Sequence, residues 1–440
     1  MGYKDLLLTP IYLSIIVVFF YIIRRKQTNP LTRPYYLPGF FVKALGALGV
    51  GVLYFFYYGG GNISGDTFYF FKDAGRIVDA FIDSPITGIQ VLFATDEYDP
   101  STYAYTSRIY YYQDPTSRPI VKIAGLLSIF TFHTYSVTAL LFAAFCFGGL
   151  WAIYNVFIDL YPPLYRPLAI AILFVPSVFF WGSGLLKDTI TLGCLGYAFN
   201  SFYFGLIKRR QLVRNGIIFL VSVLIIKAVK VYILLCFIPA ISLWLFLQYR
   251  TKMKKGAART LMLPLALLLA LPIGYIAVQK ITEGTRYSLD QIANTTQVTA
   301  EWLQYMSEYD QGSGYSLGEF DGSMQSVITK LPQGIWVSLF RPYLWEAHNV
   351  VMLLSAFESL ILLLLTIKVL FEVRFRVIKP LLEHPVIAFC FLFAIVLAFG
   401  VGVSSSNFGT LSRYRIPLLP FYLAGLYLLR FQVKRSRKLF

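Results

Sequence analysis

The sequence predicts an all-α polytopic membrane protein with about eleven transmembrane helices. Three observations lead to this prediction: 57% of the 440 residues are hydrophobic and only 14% are charged, the apolar residues form long continuous runs, and short basic clusters separate those runs. A soluble globule does not have this composition. In lipid only helices or a closed barrel can span, and continuous runs exclude the alternating pattern of barrel strands.

Each apolar run is near the roughly 20 residues that a helix needs to cross a bilayer. The runs are residues 5–23, 40–58, 134–158, 166–181, 188–206, 213–227, 230–248, 260–279, 350–368, 384–402 and 415–430. The run 120–132 is shorter, and it is compatible with a re-entrant helix, an interfacial helix or the start of a kinked third span. We expect a single membrane domain over residues 1–440.

Basic residues occupy alternate connections between the runs, which indicates the orientation of the chain. With the N-terminus outside and the C-terminus inside, six basic groups all lie on the inner side, as the positive-inside rule requires. The groups are Arg24, Arg25, Lys26, Arg33 and Lys43; Arg166; Lys208, Arg209, Arg210 and Arg214; Arg250, Lys252, Lys254, Lys255 and Arg259; Lys368, Arg374, Arg376 and Lys379; and Lys434, Arg435, Arg437 and Lys438. This rule accounts for most of the +17 net charge, so no nucleic-acid partner is predicted. We expect a multi-pass protein of the bacterial inner (cytoplasmic) membrane.

Two long outward segments follow from this topology, residues 59–118 and 280–349. The first contains GDTFYFFKDAGRIVDAF, in which apolar residues recur at helical spacing over 68–82. This predicts an interfacial helix. Its apolar face would hold Phe70, Phe71, Ala74, Ile77, Val78, Phe81 and Ile82, and its polar face Lys72, Asp73, Arg76, Asp79 and Asp83. Asp66 stands at the entrance of the segment.

Several cations break the orientation rule, because they lie at the outer ends of the runs. They are Lys187, Lys227, Lys230, Arg286, Arg341, Arg413 and Arg415. Cations near hydrocarbon need an anionic partner. The partner is either a protein carboxylate, for which Asp188 and Glu346 are at hand, or a lipid-linked phosphate, whose oxygens match the planar fork of arginine.

Four short stretches carry a resemblance to a known family. They are GDTFYFFKDAG around Asp66, PSVFFWGSGLLKDT around Lys187, LFRPYLWEAHN around Arg341 and Glu346, and SRYRIPLLPF around Arg413. In layout the chain resembles the GT-C type of integral-membrane glycosyltransferases and the related lipid-linked polysaccharide polymerases. One departure is that Asp66 is followed by Thr67, where many such transferases have a second acid. No cofactor is firmly implied, and a divalent metal is left open.

The resemblance implies transfer of a sugar from a polyprenyl phosphate or diphosphate carrier to an acceptor hydroxyl at the extracytoplasmic face. Such a reaction needs a carboxylate base and positive charge for the leaving phosphate. The catalytic candidates are Asp66 and Glu346, the candidates for the lipid phosphate are Arg413, Arg415, Arg341 and Lys187, and Tyr103, Tyr105, Trp336 and Trp345 would stack on sugar rings. The partners expected are a polyprenyl-linked sugar and membrane lipids.

Each candidate also has a structural interpretation. Asp66 would suit a helix N-cap, Glu346 would pair with Arg341, and Lys187 with Asp188, while the aromatic residues would form an interfacial belt. Two other functions stay open. A flippase or transporter of an anionic lipid-linked glycan would line a midplane cavity with its charges, and a non-catalytic membrane scaffold would explain the loops but not the outward cations.

Overall fold

A computed structural model shows an all-helical protein over the residues that it describes. These are residues 2–27, 29–253, 313–318 and 324–437, with a few single positions between 256 and 305. Within them the regular secondary structure is helical, apart from an isolated antiparallel bridge between Gly314 and Asn407. The chain divides into two compact units, Met1–Lys230 and Val231–Phe440. The single membrane domain over 1–440 stays a prediction.

The helices of the first unit are numbered in chain order. They are α1 (Tyr3–Arg25), α2 (Arg33–Val52), α3 (Gly65–Asp83), α4 (Pro85–Phe93), α5 (Tyr103–Thr106), α6 (Arg118–Phe130), α7 (Tyr135–Leu160), α8 (Tyr165–Leu173), α9 (Pro176–Trp181), α10 (Lys187–Ser201) and the beginning of α11 (Leu212–Lys252). Helices α2 and α10 continue into π-helical turns, Leu53–Tyr58 and Phe202–Ile207. Short 3-10 turns lie at Pro162–Leu164 here and at Leu344–Glu346 in the second unit.

The second unit continues this numbering. Its helices are α12 (Met324–Thr329), α13 (Leu331–Phe340), α14 (Val350–Val373), α15 (Ile378–Glu383), α16 (Pro385–Ser404), α17 (Phe408–Tyr414) and α18 (Leu419–Arg437). In this unit α16 packs against α13 and α18, and α14 packs against α13 and α18. The core is therefore built on α16.

Seven of the described helices are long and apolar enough to cross a membrane, namely α1, α2, α7, α10, α11, α14 and α16. Helices α17 and α18, bent by 65°, would together make an eighth span. One face of α1 exposes more than half of Leu7, Ile11, Ile15 and Val18, which suits a hydrocarbon solvent and not water. The prediction of a helical multi-pass membrane protein is confirmed at this level, and eleven spans are not confirmed.

Two of the predicted runs differ from the structure in an informative way. The run 166–181 forms two short helices, α8 and α9, because Val175 precedes Pro176 and takes an extended conformation (φ −70°, ψ 123°). A residue before proline is pushed out of the helical region. The run 260–279 lies outside the described residues, apart from positions 261 and 279.

The runs 213–227 and 230–248 fall within α11, which has 41 residues. A straight helix of that length would measure about 60 Å, twice the hydrocarbon thickness of about 30 Å. The backbone of Lys230 is non-helical (φ −144°, ψ 72°), so α11 is broken where the sequence predicts a turn. Two separate spans in this stretch stay a prediction.

Residues 120–130 lie in the helix α6 (Arg118–Phe130), and the re-entrant, interfacial and kinked-span alternatives for the run 120–132 stay predictions. The 13 residues of α6 measure about 20 Å, and Phe132 and His133 then take left-handed conformations (φ 51° and 49°) before α7 begins. Helices α3 and α6, which lie between α2 and α7 in sequence, pack against each other.

The predicted helix over 68–82 is present as α3, with one error in its polar face. Phe70, Ala74 and Ile77 are buried as expected, but Asp73 is also buried, with 1% of its surface exposed. Its two carboxylate oxygens accept the backbone N–H groups of Tyr110 and Tyr111, at 3.0 and 2.9 Å. Burial raises the pKa of Asp73 despite these two bonds. Asp73 therefore anchors the tyrosine-rich loop and does not face water.

The sequence predicts Lys43 as one of the inward basic residues, and the structure corrects this prediction. It lies inside α2 with no exposed surface, and its ammonium donates to the carbonyl oxygens of Val178 and Gly182 at 3.1 and 2.5 Å. These carbonyls lie at the C-terminal end of α9, where helix carbonyls lack intrahelical partners and a cation is favourable. Lys43 stabilises the end of α9 and carries no information about orientation.

The most extensive helix–helix contact in the first unit is between α7 and α10, and it depends on glycines. A Cβ on Gly149 would lie 2.3 Å from the carbonyl oxygen of Gly193, and one on Gly196 would lie 2.1 Å from that of Gly149. Small residues allow two helix backbones to approach in this way within a membrane. The position of α10, and of its first residue Lys187, is fixed by this contact.

We predict that Gly149→Ala destabilises the protein, because the two backbones must separate to admit the methyl group. Overpacking of this kind costs about 1–3 kcal/mol, which should lower the melting temperature of the purified protein in detergent. Gly216→Ala in α11 is the control, since no atom lies within 4 Å of a Cβ at that position. Equal melting temperatures for the two variants would contradict the close contact.

Candidate functional site

Asp66 lies in the first turn of α3, where the helix leaves the loop after α2. Ser64 is the N-cap residue, so the interpretation of Asp66 as the N-cap is not supported. Gly65 has φ +70°, and a Cβ there would also meet the Tyr54 ring at 2.3 Å, so glycine suits this position on two grounds. This backbone places the Asp66 carboxylate half-buried at the end of the helix.

Tyr111 contacts Asp66, which the sequence did not predict. Its hydroxyl donates to Oδ1 of Asp66 at 3.2 Å, and its backbone is held by the buried Asp73. Burial and the charge of Asp66 raise the pKa of the Tyr111 hydroxyl, which keeps it protonated as a donor. The hydroxyl therefore orients the Asp66 carboxylate from the side of the tyrosine-rich loop.

Lys187 begins α10 and joins this loop through Asp114. Its ammonium lies 3.1 Å from Oδ2 of Asp114 and 2.7 Å from the hydroxyl of Thr116. Burial opposes ionisation of Asp114, but hydrogen bonds from Ser117 and Thr116 and the charge of Lys187 outweigh it and hold the pKa of Asp114 well below its ordinary value. Asp114 is thus a permanent counterion, and it holds Lys187 with 22% of the side chain exposed.

Asp188 does not pair with Lys187, although the sequence offered that pairing as an alternative. Its carboxylate instead meets the ammonium of Lys230 at 2.5 Å, in a pair that is almost completely buried. Adjacent helical residues point about 100° apart, so Lys187 and Asp188 face different neighbours. Asp188 and Lys230 tie the start of α10 to α11.

These five groups form one electrostatic unit, which we call the acid–lysine cluster: Asp66, Asp114, Lys187, Asp188 and Lys230. The charges of Asp114, Lys230 and Asp66 all act on the Lys187 ammonium. Asp66 and Lys187, predicted from separate motifs, are linked through one loop, since Tyr111 donates to Asp66 and Asp114 pairs with Lys187. Within the described residues, no group of three or more His, Cys, Asp or Glu side chains could hold a metal ion.

The second unit assembles a different group around Arg341. The guanidinium Nε lies 3.1 Å from both carboxylate oxygens of Glu346, and Nη2 also donates to that carboxylate. Glu346 in addition accepts the backbone N–H of Tyr343 at 2.7 Å. The structure therefore contains the Arg341–Glu346 pair offered as the structural alternative, and a catalytic role for Glu346 stays a prediction.

Aromatic rings surround the Arg341 guanidinium, and two of the predicted tryptophans lie nearby. The guanidinium carbon is 5.1 to 5.7 Å from the ring centres of Tyr315, Tyr343 and Phe408, within the range of cation–π attraction. Trp336 donates its indole N–H to the Tyr343 hydroxyl at 2.6 Å, and Trp345 stacks on Tyr343. Trp336, Tyr343 and Arg341 help to line a cavity of about 510 Å³.

Arg415 is placed differently from the prediction. It has no exposed surface, and its guanidinium donates to Glu358 at 3.1 Å, to the Ser359 hydroxyl at 2.9 Å and to the Arg341 carbonyl at 3.0 Å. A lipid phosphate cannot reach a completely buried side chain, so Arg415 is removed from the phosphate-binding set. Arg413, two residues earlier, is half-buried and keeps its predicted role as a prediction.

The two predicted tyrosines lie away from Asp66. Tyr105 donates to Asp83, at the opposite end of α3 and about 25 Å along the helix from Asp66. Tyr103 stacks on Tyr98 and is 47% exposed. Their role in sugar stacking stays a prediction, and a sugar stacked on Tyr105 would lie at the end of α3 opposite Asp66.

Sequence reasoning missed Asp114 and Glu358, although each carries a signal. Asp114 precedes Arg118-Pro119 in DPTSRP, and an acid with hydroxyl residues just before a proline predicts a helix start. Glu358 is the acid within the apolar run 350–368, where an ionisable residue requires a partner. No local signal indicates which distant cation each one meets.

Comparison of the chain with protein-family models, with curated proteins and with solved structures gives no match. The function proposed below therefore depends on the contacts of this chain and on the resemblance in layout.

We predict that Glu358→Gln destabilises the second unit, because it leaves the buried Arg415 without a counter-charge. Breaking a buried pair in this way costs about 3–5 kcal/mol, measurable as a lower melting temperature. Adding Arg415→Met removes the stranded charge and should recover part of the loss. Asp79→Asn is the control, because its pair with Arg76 is largely exposed and such pairs contribute about 0–1 kcal/mol. A stable Glu358→Gln protein would show that this pair is unimportant.

Proposed function

We propose that the chain is a membrane glycosyltransferase or polysaccharide polymerase. It would transfer a sugar from a polyprenyl phosphate or diphosphate carrier to an acceptor hydroxyl at the extracytoplasmic face. The observation that supports this best is that residues 111–114 of one loop contact both groups, since Tyr111 donates to Asp66 and Asp114 pairs with Lys187. The reaction needs a base and a phosphate-directed cation close together.

Each residue of the cluster has a defined part in this reaction. The Asp66 carboxylate takes the proton of the acceptor hydroxyl, whose oxygen attacks the anomeric carbon while the bond from that carbon to the phosphate oxygen breaks. Lys187 stabilises the charge that develops on the leaving phosphate. Tyr111 orients Asp66, and Asp114 holds Lys187 in place. Asp188 and Lys230 position the start of α10 and do not contact substrate.

The site would face outward in the predicted topology, with the N-terminus outside, the C-terminus inside and eleven spans. This count takes α8 with α9 as one crossing, the two parts of α11 as two, and residues 260–279 as another. After the correction for Lys43, each of the six groups that the topology puts inside still has basic residues at or near a helix end, which supports the proposal. The carrier phosphate would then lie in the outer headgroup layer, at the beginning of α10.

One observation disfavours the transporter alternative. A transporter needs charged or polar side chains along a path near the bilayer midplane. Lys43 lies in the middle of α2, but it is completely buried and its ammonium is bound by carbonyls of α9. It therefore lines no path for a substrate.

We predict that Asp66→Asn lowers sugar transfer in membranes by about 100-fold or more, the usual contribution of a general base. The measurement is incorporation of tritiated sugar from lipid-linked donors into polymer, with protein amount and melting temperature followed in parallel. Asp79→Asn on the exposed face of the same helix is the control and should keep normal turnover. Wild-type transfer by Asp66→Asn would remove Asp66 as the base.

We predict that Lys187→Gln weakens the binding of undecaprenyl phosphate by about tenfold, because one charge-assisted contact to the phosphate is lost. Gln can still hydrogen-bond Asp114, so the loop should stay in place. Lys227→Gln is the matched control, since Lys227 is exposed on α11. Asp66→Asn should bind the lipid normally while failing in transfer, and equal binding by both lysine variants would argue against Lys187 as the phosphate ligand.

A further inference from the structure

The first unit contains a cavity at the end of α10 opposite Lys187. It has a volume of about 650 Å³ and lies between α7, the π-helical end of α10 and the first turns of α11. Residues that line it include Trp151, Asn155, Asn200, Arg210 and Arg214. The 21 residues from Lys187 to Ile207 separate it from the acid–lysine cluster by about 30 Å. We call it the Arg210 pocket.

Positive charge is in excess at this pocket. Asp159 is the nearby acid, and it is already neutralised by Lys208 at 2.8 Å and by a hydrogen bond from Tyr203 at 2.6 Å. Arg214 is hydrogen-bonded to the neutral Gln211. Within the described residues the Arg210 guanidinium forms no hydrogen bond or ion pair. Two arginines therefore line a cavity with no acid of its own, which favours an anion.

Unused hydrogen-bonding groups inside the pocket also indicate a ligand. Trp151 is 5% exposed, and its indole N–H has no hydrogen-bond partner among the described residues. The half-buried side chain of Asn155 likewise makes no hydrogen bond in that part of the chain. A buried donor without a partner destabilises the folded protein. A polar ligand would satisfy these groups.

The turn that carries Arg210 is unusual in its backbone. Arg209 and Gln211, on either side, both have left-handed conformations (φ 54° and 45°). The turn is nevertheless fixed, because the N–H of Arg210 donates to Phe204 at 2.8 Å and its carbonyl accepts from Asn215 at 2.6 Å. Strained residues and π-helical turns are enriched at functional sites.

The surface next to the pocket indicates which class of anionic molecule would bind there. Beside it, α11 exposes an apolar stripe with helical spacing, Val213, Ile217, Leu220, Val221 and Leu224, each about half exposed or more. A soluble anion has no use for such a stripe, whereas an acyl chain could lie along it. Basic pockets between membrane helices are typical binding sites for anionic lipid headgroups.

We propose that the Arg210 pocket binds the phosphate of an anionic membrane phospholipid. Arg210 and Arg214 contact the phosphate, Asn155 and Trp151 bind polar atoms of the headgroup, and the acyl chains follow the exposed face of α11. This site is independent of the proposed transfer reaction, since it lies at the other end of α10.

The test uses the full-length protein in detergent with short-chain lipids as probes. Dihexanoyl phosphatidylglycerol should raise the melting temperature and bind in a titration. Dihexanoyl phosphatidylcholine has the same phosphate but no net charge, so it should bind at least about tenfold more weakly. Inorganic phosphate is the third arm, and it should give no comparable shift because it lacks acyl chains.

The variant Arg210→Gln/Arg214→Gln should lose about tenfold or more in affinity for phosphatidylglycerol. Arg209→Gln is the matched control, because it removes one charge from the same turn without lining the pocket, and it should bind as wild type does. Equal affinities of the two variants, or equal binding of the two lipids, would overturn the proposal. A rise in melting temperature with inorganic phosphate alone would assign the pocket to a soluble anion and would overturn the proposal of a lipid ligand.

Discussion

The structure depends on neutralising charge inside a helical bundle. Three cations are deeply buried among the described residues, and each meets oxygen ligands: Lys43 at the carbonyls of α9, Lys230 at Asp188, and Arg415 at Glu358. An unpaired ion in this environment costs several kcal/mol, so removing either partner is far worse than never having had the pair. These contacts fix where α9 ends, where α10 begins and how the α17–α18 bend meets α14.

The same requirement separates structural cations from those that could meet a ligand. Lys230 and Arg415 are enclosed by their partners, whereas Lys187 and Arg341 each keep about a fifth of the side chain exposed. Asp114 stays ionised because several donors stabilise its carboxylate, so it holds Lys187 oriented before any substrate arrives. Preorganised charge of this kind can stabilise a transition state without further rearrangement. Partial exposure together with a fixed counterion is therefore what makes Lys187 a better candidate than Arg415.

The sequence predicted what local pattern controls. Continuous apolar runs gave the helical membrane class, and helical spacing gave α3, because both depend on residues close in the chain. The prediction failed where the partners are distant in sequence. The helical pattern assigns Asp73 to the polar face, whereas in the structure it binds the backbone of Tyr110 and Tyr111. The charge pattern assigns Lys43 to a connection, whereas in the structure it binds the end of α9. Pro176 did signal the break between α8 and α9. Asp66 and Lys187 came from separate motifs, and no pattern in the chain could show that they share one cluster.

The two proposed phosphate sites, at opposite ends of α10, would need separate ligands. The 21 helical residues from Lys187 to Ile207 keep Lys187 and the Arg210 pocket about 30 Å apart, close to the full hydrocarbon thickness. A lipid phosphate stays in its own headgroup layer, because moving an ion through hydrocarbon is costly. A lipid in the Arg210 pocket therefore cannot also be the sugar donor at Lys187. In the proposed topology, a lipid bound in the Arg210 pocket would anchor the adjoining ends of α7, α10 and α11 to the inner leaflet. The acid–lysine cluster, at the opposite end of α10, would remain open to the sugar carrier in the outer leaflet.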